Sequence, residues 1–220
     1  GDYRGIRAHS MLASDRRHAE SVAPMIQFVL QQADATMADL SAIAVDVGPG
    51  LFTGMRVGIA SAASLAWALE LPVVPVCSLD ALAMNAEWSD NVVAASLDAR
   101  RGEVYWSLYR HIDGKLRQVT TPQASTVEEC ALQTIDRGQS TLFVGNGALR
   151  YRNEIELVVA GVLPRFEFAD EMAALPTAVV LAQIAHERAL RQEWQEADTL
   201  VPEYLRLPDA EINWATRSAS

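Results

Sequence analysis

Gly48-Pro49-Gly50-Leu51-Phe52-Thr53-Gly54-Met55-Arg56-Val57-Gly58 decides how this 220-residue chain is read. It follows a strand-like run, Ile43-Ala44-Val45-Asp46-Val47, and opens a long helical stretch. A strand closed by Gly-Pro-Gly and followed at once by a helix lets backbone N–H groups and the helix dipole hold an anion. Gly48, Gly50, Thr53, Gly54 and Arg56 are therefore the candidate anion or nucleotide loop. No Lys-Ser or Lys-Thr pair closes the turn, so it is not a Walker loop, and its glycine spacing is not that of a dinucleotide site. The same glycines equally suit a tight strand-to-helix turn that needs positive φ and close packing.

The helix expected over Thr53 to Glu70 carries almost no bulky polar side chain between Arg56 and Glu70. A surface helix shows one apolar stripe and one charged face; this one is small or apolar all round. A second helix, His18 to about Gln32, is similarly broad in its apolar cover, with Pro24 placed where it kinks or shifts the first turn. Such helices are either core or partner-facing. The candidate partner residues are His18, Val22, Met25, Ile26 and Val29 on the first helix. On the second they are Gly58, Ala62, Ser64 and Leu65. Arginine at Ala62 or Ser64 is expected to abolish pairing and leave the isolated fold intact.

Outward from these helices, periodicity predicts a strand over Ile6 to Ala13, with Ser14-Asp15 as a helix cap. It predicts strands at Val73 to Val76, Val92 to Leu97, Val104 to Tyr109 and Thr141 to Val144. Helices are expected from Ser78 or Asp80 to Asn85, over Thr126 to Ile135, and from Pro176 to about Trp194. Asp113-Gly114 reads as a hairpin turn. Strands alternating with helices make an α/β chain, and the polar stretch Trp88-Ser89-Asp90-Asn91 divides it into lobes of residues 1–89 and 90–220.

Half of the residues are apolar and 21% are charged, an ordinary globular balance. A net charge of −10, with Lys115 the only lysine, argues against a stand-alone nucleic-acid binder, because phosphate recognition relies on clustered cations. Cys77 and Cys130 lie far apart without a CxxC, which suits reduced, buried thiols in a cytoplasmic protein. No apolar run approaches the ~18 residues that crossing a membrane takes. His9, His18, His111 and His186 have no second histidine at ligand spacing, so no metal site is expected. No Gly-x-Ser-x-Gly occurs and neither cysteine has an identifiable basic neighbour, so no catalytic residue is assigned. Asp98-Ala99-Arg100-Arg101-Gly102-Glu103 joins two strands in a charged bend, where Asp98 is either a metal- or water-directed carboxylate or an ion-pair partner. Gly145-Asn146-Gly147 resembles a further ligand-facing turn.

Together these segments resemble the TsaB (YeaZ) family. Gly48 to Gly58 is similar to its GPGSFTGxRxG signature, with Leu51 where serine is usual. His18 to Ile26 is similar to its HxxxxxPxI helix, Asp98 to Tyr105 to its DARxGEVY strand pair, and Pro202-Glu203-Tyr204-Leu205-Arg206 to its closing PxYLR. The resemblance implies an actin-like (ASKHA, RNase H-like) two-lobed α/β fold. It also implies a non-catalytic role in threonylcarbamoylation of adenosine next to the anticodon of transfer RNA. The implied partners are a TsaD homologue, docked on the two N-terminal helices, and a TsaE-type ATPase. A homodimer through the same surface is implied when the chain is alone, with transfer RNA reached only through the complex. ATP or ADP at the partner interface is the one nucleotide expectation. Family members open with an apolar strand ending in Asp-Thr-Ser or Asp-Thr-Ala; that segment is absent here, so upstream residues are expected to precede Gly1. Two rivals remain: an ATP-dependent phosphotransferase or nucleotide-binding protein of the same fold class, and a peptidase.

Overall fold

The structure is a computed structural model that describes residues 1–2, 4–12 and 18–206, with the side chains of His18 and Ala19 excepted. Two sheets organise it. In the first, β1 (Ile43–Gly48) and β2 (Val73–Cys77) pair in parallel through the crossover helix α2 (Phe52–Leu69). Helix α1 (His18–Gln32) packs chiefly on α2. It runs unbroken through Pro24, which lies on an exposed position.

The second sheet has six strands. A meander of β3 (Val92–Arg100), β4 (Glu103–Ile112) and β5 (Lys115–Gln118) is antiparallel, and β6 (Gln123–Thr126) also pairs with β4. On the other side of β3 lie β7 (Thr141–Val144) and β8 (Phe166–Phe168), both parallel. The order β5-β4-β3-β7-β8 is the RNase H-like arrangement of actin-like lobes. The β4–β5 turn has positive φ at both Asp113 and Gly114, 53° and 73°, the geometry a two-residue hairpin requires.

Alternation along the strands sets the layers. Val92 and Ala94 of β3 join Trp106, Phe143, Cys130, Ala148, Ile155 and Val159 in a core under α4 (Val127–Ile135), α5 (Asn146–Arg150) and α6 (Arg152–Val159). Val93, Ala95 and Leu97 face the other way, against Leu79, Leu82 and Ala83 of α3 (Ser78–Met84). In the first sheet Val45, Val47 and Val73 meet Ile59 and Ala66 of α2. Val74 and Val76 turn to Val180 and Ala185 of α7 (Ala178–Leu190). Helix α7 belongs to the second half of the sequence yet covers the first sheet. Arg188 on it donates to Asp80 of α3 at 2.8 Å and to the Pro75 carbonyl at 2.7 Å, and Tyr109 of β4 donates to the same Asp80 at 3.0 Å.

Two sequence expectations change. Residues 6–12 form no strand; the nearest pairing is an isolated bridge between Asp2 and Gly5. A strand is made by the edge it joins, and no edge among the described residues takes this segment. Ala13 and the Ser14-Asp15 cap lie outside the described residues. The Pro176–Trp194 helix is shorter than expected, starting on a Thr177 cap that accepts from the Val180 N–H and ending at Leu190.

Candidate functional site

The Gly48 turn is built from its own strand. Gly48 has φ 103°, and a Cβ there would come within 2.5 Å of the Met55 sulfur and 3.2 Å of the Glu203 carbonyl, so only glycine fits. Its N–H donates to Asp46 Oδ1 at 2.9 Å, and the Ser78 hydroxyl donates to the same oxygen. Burial pushes the Asp46 carboxyl above its usual range, against the two hydrogen bonds. The Glu203 carboxyl is raised by burial as well, with Asp80 and Asp46 adding to it and a hydrogen bond from Cys77 opposing. Among the candidate loop residues, Gly50 and Gly54 face open space, Thr53 is exposed, and Arg56 donates to the Tyr204 hydroxyl at 2.7 Å. The Gly48 N–H thus already serves a carboxylate of the chain itself.

A stability test follows from Asp46. A carboxyl whose pKa is raised on folding contributes stability below its unfolded value of 3.8, and that stability is lost as pH rises through the folded value. Asp46→Asn keeps the acceptor and removes the charge. Its stability relative to the parent should improve from about pH 4 to about pH 7, measured by urea unfolding. The opposite trend would mean the hydrogen bonds outweigh burial.

The helical candidates separate into two groups. Thr53, Arg56, Ala60, Ser64 and Trp67 form one exposed stripe along α2 at three- and four-residue steps. Trp67 is 79% exposed, and Phe28 on α1 is 50% exposed beside exposed Ala23 and Pro24. Ser64 therefore lies on the open face. Gly58 is half-buried with open space at its Cα. Ala62 is half-buried and packs on the Val45–Ile59 core, and Leu65 is half-buried too. Arginine at Ala62 would therefore strain the core, contrary to the sequence expectation; Ser64 and Ala60 are the clean positions. Val22, Met25, Ile26 and Val29 are half-buried on α1, and the His18 side chain lies outside the described residues. Trp67 escaped the sequence reading, although it is the one tryptophan of α2 and the largest side chain on its exposed stripe.

Asp98 is an ion-pair partner. It accepts from Arg150 at 2.9 Å, Tyr151 at 3.1 Å and the Arg100 N–H at 2.8 Å, while its own N–H donates to Asn146 Oδ1 at 3.0 Å. The Gly145-Asn146-Gly147 turn thus brings α5 close to β3. Among the described residues no group of three His, Cys, Asp or Glu side chains could hold a metal ion. Burial pushes both thiols up, helped at Cys77 by Asp80 and Glu203 and at Cys130 by Glu129, so neither is a ready nucleophile. Among the described residues no helix is long and apolar enough to cross a membrane.

The RNase H-like order of the second sheet, set beside a parallel β1–α2–β2 unit, defines an actin-like α/β protein. The family described as TsaD, tRNA N6-adenosine threonylcarbamoyltransferase, matches residues 7–214. The "tRNA threonylcarbamoyladenosine biosynthesis protein TsaB" of Bacillus subtilis is 33% identical over 201 residues, covering 90% of this chain and 84% of its own. The protein of the same name from Haemophilus influenzae is 31% identical over 223 residues, covering 96% and 88%. A crystal structure from Pseudomonas aeruginosa, described as similar to peptidase YEAZ, superposes with a TM-score of 0.73 at 30% identity over 87% of this chain and 85% of that one. The chain belongs to the TsaB (YeaZ) family.

Proposed function

We propose that this chain is a docking subunit in the formation of threonylcarbamoyladenosine on transfer RNA, with no catalytic residue of its own. Its partner is a TsaD homologue, a TsaE-type ATPase joins the assembly, and the RNA is reached through the complex. One observation carries the reading: the exposed stripe of α2 is small in its middle, at Ala60 and Ser64, and ends in the exposed Trp67. Small residues let a second helix approach closely, and an exposed tryptophan beside them is the side chain most enriched at binding hot spots. The exposed Phe28, Ala23 and Pro24 of α1 extend the patch. A homodimer through the same face belongs to this proposal, as does the division into lobes of residues 1–89 and 90–220, with α7 crossing back to the first.

The test is to mix the full-length protein with its cognate TsaD homologue and follow association by calorimetry, with and without ATP. One-to-one binding is expected. Absence of binding under both conditions overturns the docking role.

A second reading, ATP or ADP seated at the partner interface, has its own support. The first turn of α2 holds no acidic residue and stands behind a glycine turn. Asp46 and Glu203 beside that turn weigh against a nucleotide in the isolated chain, and against the phosphotransferase alternative. Heat released when ATP is titrated into the assembled pair, and none with the chain alone, would favour the interface seat.

A further inference from the structure

We propose that residues 201–206 act as a strap that ties the Gly48 turn and the first turn of α2 to the second sheet, with Tyr204 and Arg206 as positioning residues for the α2 docking face. The role of that face rests on the function proposed above; the strap itself does not.

The path of the chain carries the inference. After the 3-10 turn Ala197–Thr199, which packs on α2, the chain leaves through an extended Leu200 and passes the end of β1. There the Glu203 N–H donates to the Val47 carbonyl at 2.7 Å. The Tyr204 ring then stacks on Phe52, with centroids 5.5 Å apart and planes at 27°. Arg56 closes the cluster: its guanidinium sits 3.9 Å from the Phe52 ring centroid while its Nε donates to the Tyr204 hydroxyl at 2.7 Å. Two residues later Arg206 reaches the other sheet, donating to the Ala99 carbonyl of β3 at 3.3 Å and to Glu103 of β4 at 2.7 Å. Glu203 and Arg206 are three residues apart, so their Cα atoms lie within about 10 Å of each other. A segment this short with a fixed point on each sheet leaves the turn and the second sheet little freedom to move apart.

The two anchors also explain why Arg56 is held. In a helix whose exposed stripe is otherwise uncharged, its guanidinium is engaged by two aromatic rings and a hydroxyl. The Gly48 turn is correspondingly pressed by the strap, since a Cβ at Gly48 would meet the Glu203 carbonyl at 3.2 Å. The glycine turn serves here as the seat of the chain's own residues 201–206.

Hydrogen–deuterium exchange on the full chain tests this directly. Tyr204→Ala frees the α2 end and Arg206→Ala the second-sheet end. Each is expected to raise exchange in residues 48–56 by about tenfold. The double variant should be little worse than either single one, because releasing one end slackens the whole strap. Exchange in α4 and α6 should not change. Tyr204→Phe, which keeps the stack and loses the hydroxyl, should fall between parent and Tyr204→Ala, and Arg206→Lys should recover part of the Arg206→Ala effect. Unchanged exchange at 48–56 in Arg206→Ala, or purely additive effects confined to each variant's own end, overturns the strap. Association with the TsaD homologue should weaken about five- to tenfold in both alanine variants. If the parent itself does not bind, the docking role fails while the exchange result still decides the strap.

Discussion

Ser64→Arg is expected to weaken association with a TsaD homologue by about a hundredfold or more and to leave the isolated chain folded. Ser64 is exposed in the middle of the α2 stripe, one turn from Ala60 and three residues before Trp67. A guanidinium placed where two small-residue surfaces meet blocks close approach and, if it is enclosed, leaves a buried charge without a partner. The second effect alone costs about 3–5 kcal/mol, and 1.4 kcal/mol is a factor of ten. In the free chain the side chain reaches solvent, and arginine is a slightly better helix former than serine. Thermal unfolding should therefore stay within about 1–2 °C of the parent. Trp67→Ala is the companion: neutral for folding, because the indole is 79% exposed, and costly for association if it is an anchor. Parent-like affinity in both variants would move the docking face away from α2.

Gly145→Ala should be among the most damaging single-methyl substitutions in the chain. Gly145 has φ 103°, and a Cβ there would fall 2.1 Å from the Ser96 carbonyl oxygen and 2.5 Å from a Leu82 methyl. The first obstacle is backbone of β3, the strand that pairs with β7 immediately before the glycine. Relief requires prising β3 from β7 at the centre of the six-stranded sheet. The expected cost is about 4 kcal/mol or more, a fall in melting temperature of roughly 8–16 °C at this chain length, or failure to fold. Gly114→Ala is the control. It also carries positive φ, 73°, but meets nothing within 4 Å, so it should cost about 1 kcal/mol through backbone conformation alone. Similar losses in the two variants would mean that φ, and not the β3 contact, makes Gly145 necessary.

The contrast between these glycines bears on what a reader of residues can see. Gly114 follows Asp113 between two alternating runs, and its turn is legible because the requirement is local. Gly145 looks like any loop glycine, and its turn resembles a ligand-facing one; the atoms that forbid a side chain there come from Ser96 and Leu82, far away in the chain. The same division runs through the candidate site. The glycine turn, the small-residue helix and the closing Pro-Glu-Tyr-Leu-Arg were all visible as segments. That Tyr204 meets Phe52 and Arg56, at a separation of 148 residues for the Arg56 hydrogen bond, was not. Other elements were missed for a related reason: β5 (Lys-Leu-Arg-Gln) and β6 (Gln-Ala-Ser-Thr) lack the apolar run that marks the equally short Thr141–Val144, and they persist because β4 pairs with them.

By itself the sequence determined the strand–turn–helix at Ile43 to Leu69, the long strands of the second sheet, the Asp113-Gly114 hairpin and the family resemblance. Each depends on residues a few positions apart, where backbone geometry and periodicity act directly. Only the tertiary structure decided that α7 returns to the first sheet, that Asp98 is held by Arg150 and Tyr151, and which alanines of α2 are core. Ala60 and Ala62 are identical in chemistry and two residues apart, yet one faces solvent and the other packs on the Val45–Ile59 core. An alanine suits either place, so its side of the helix follows from what the rest of the chain brings against it.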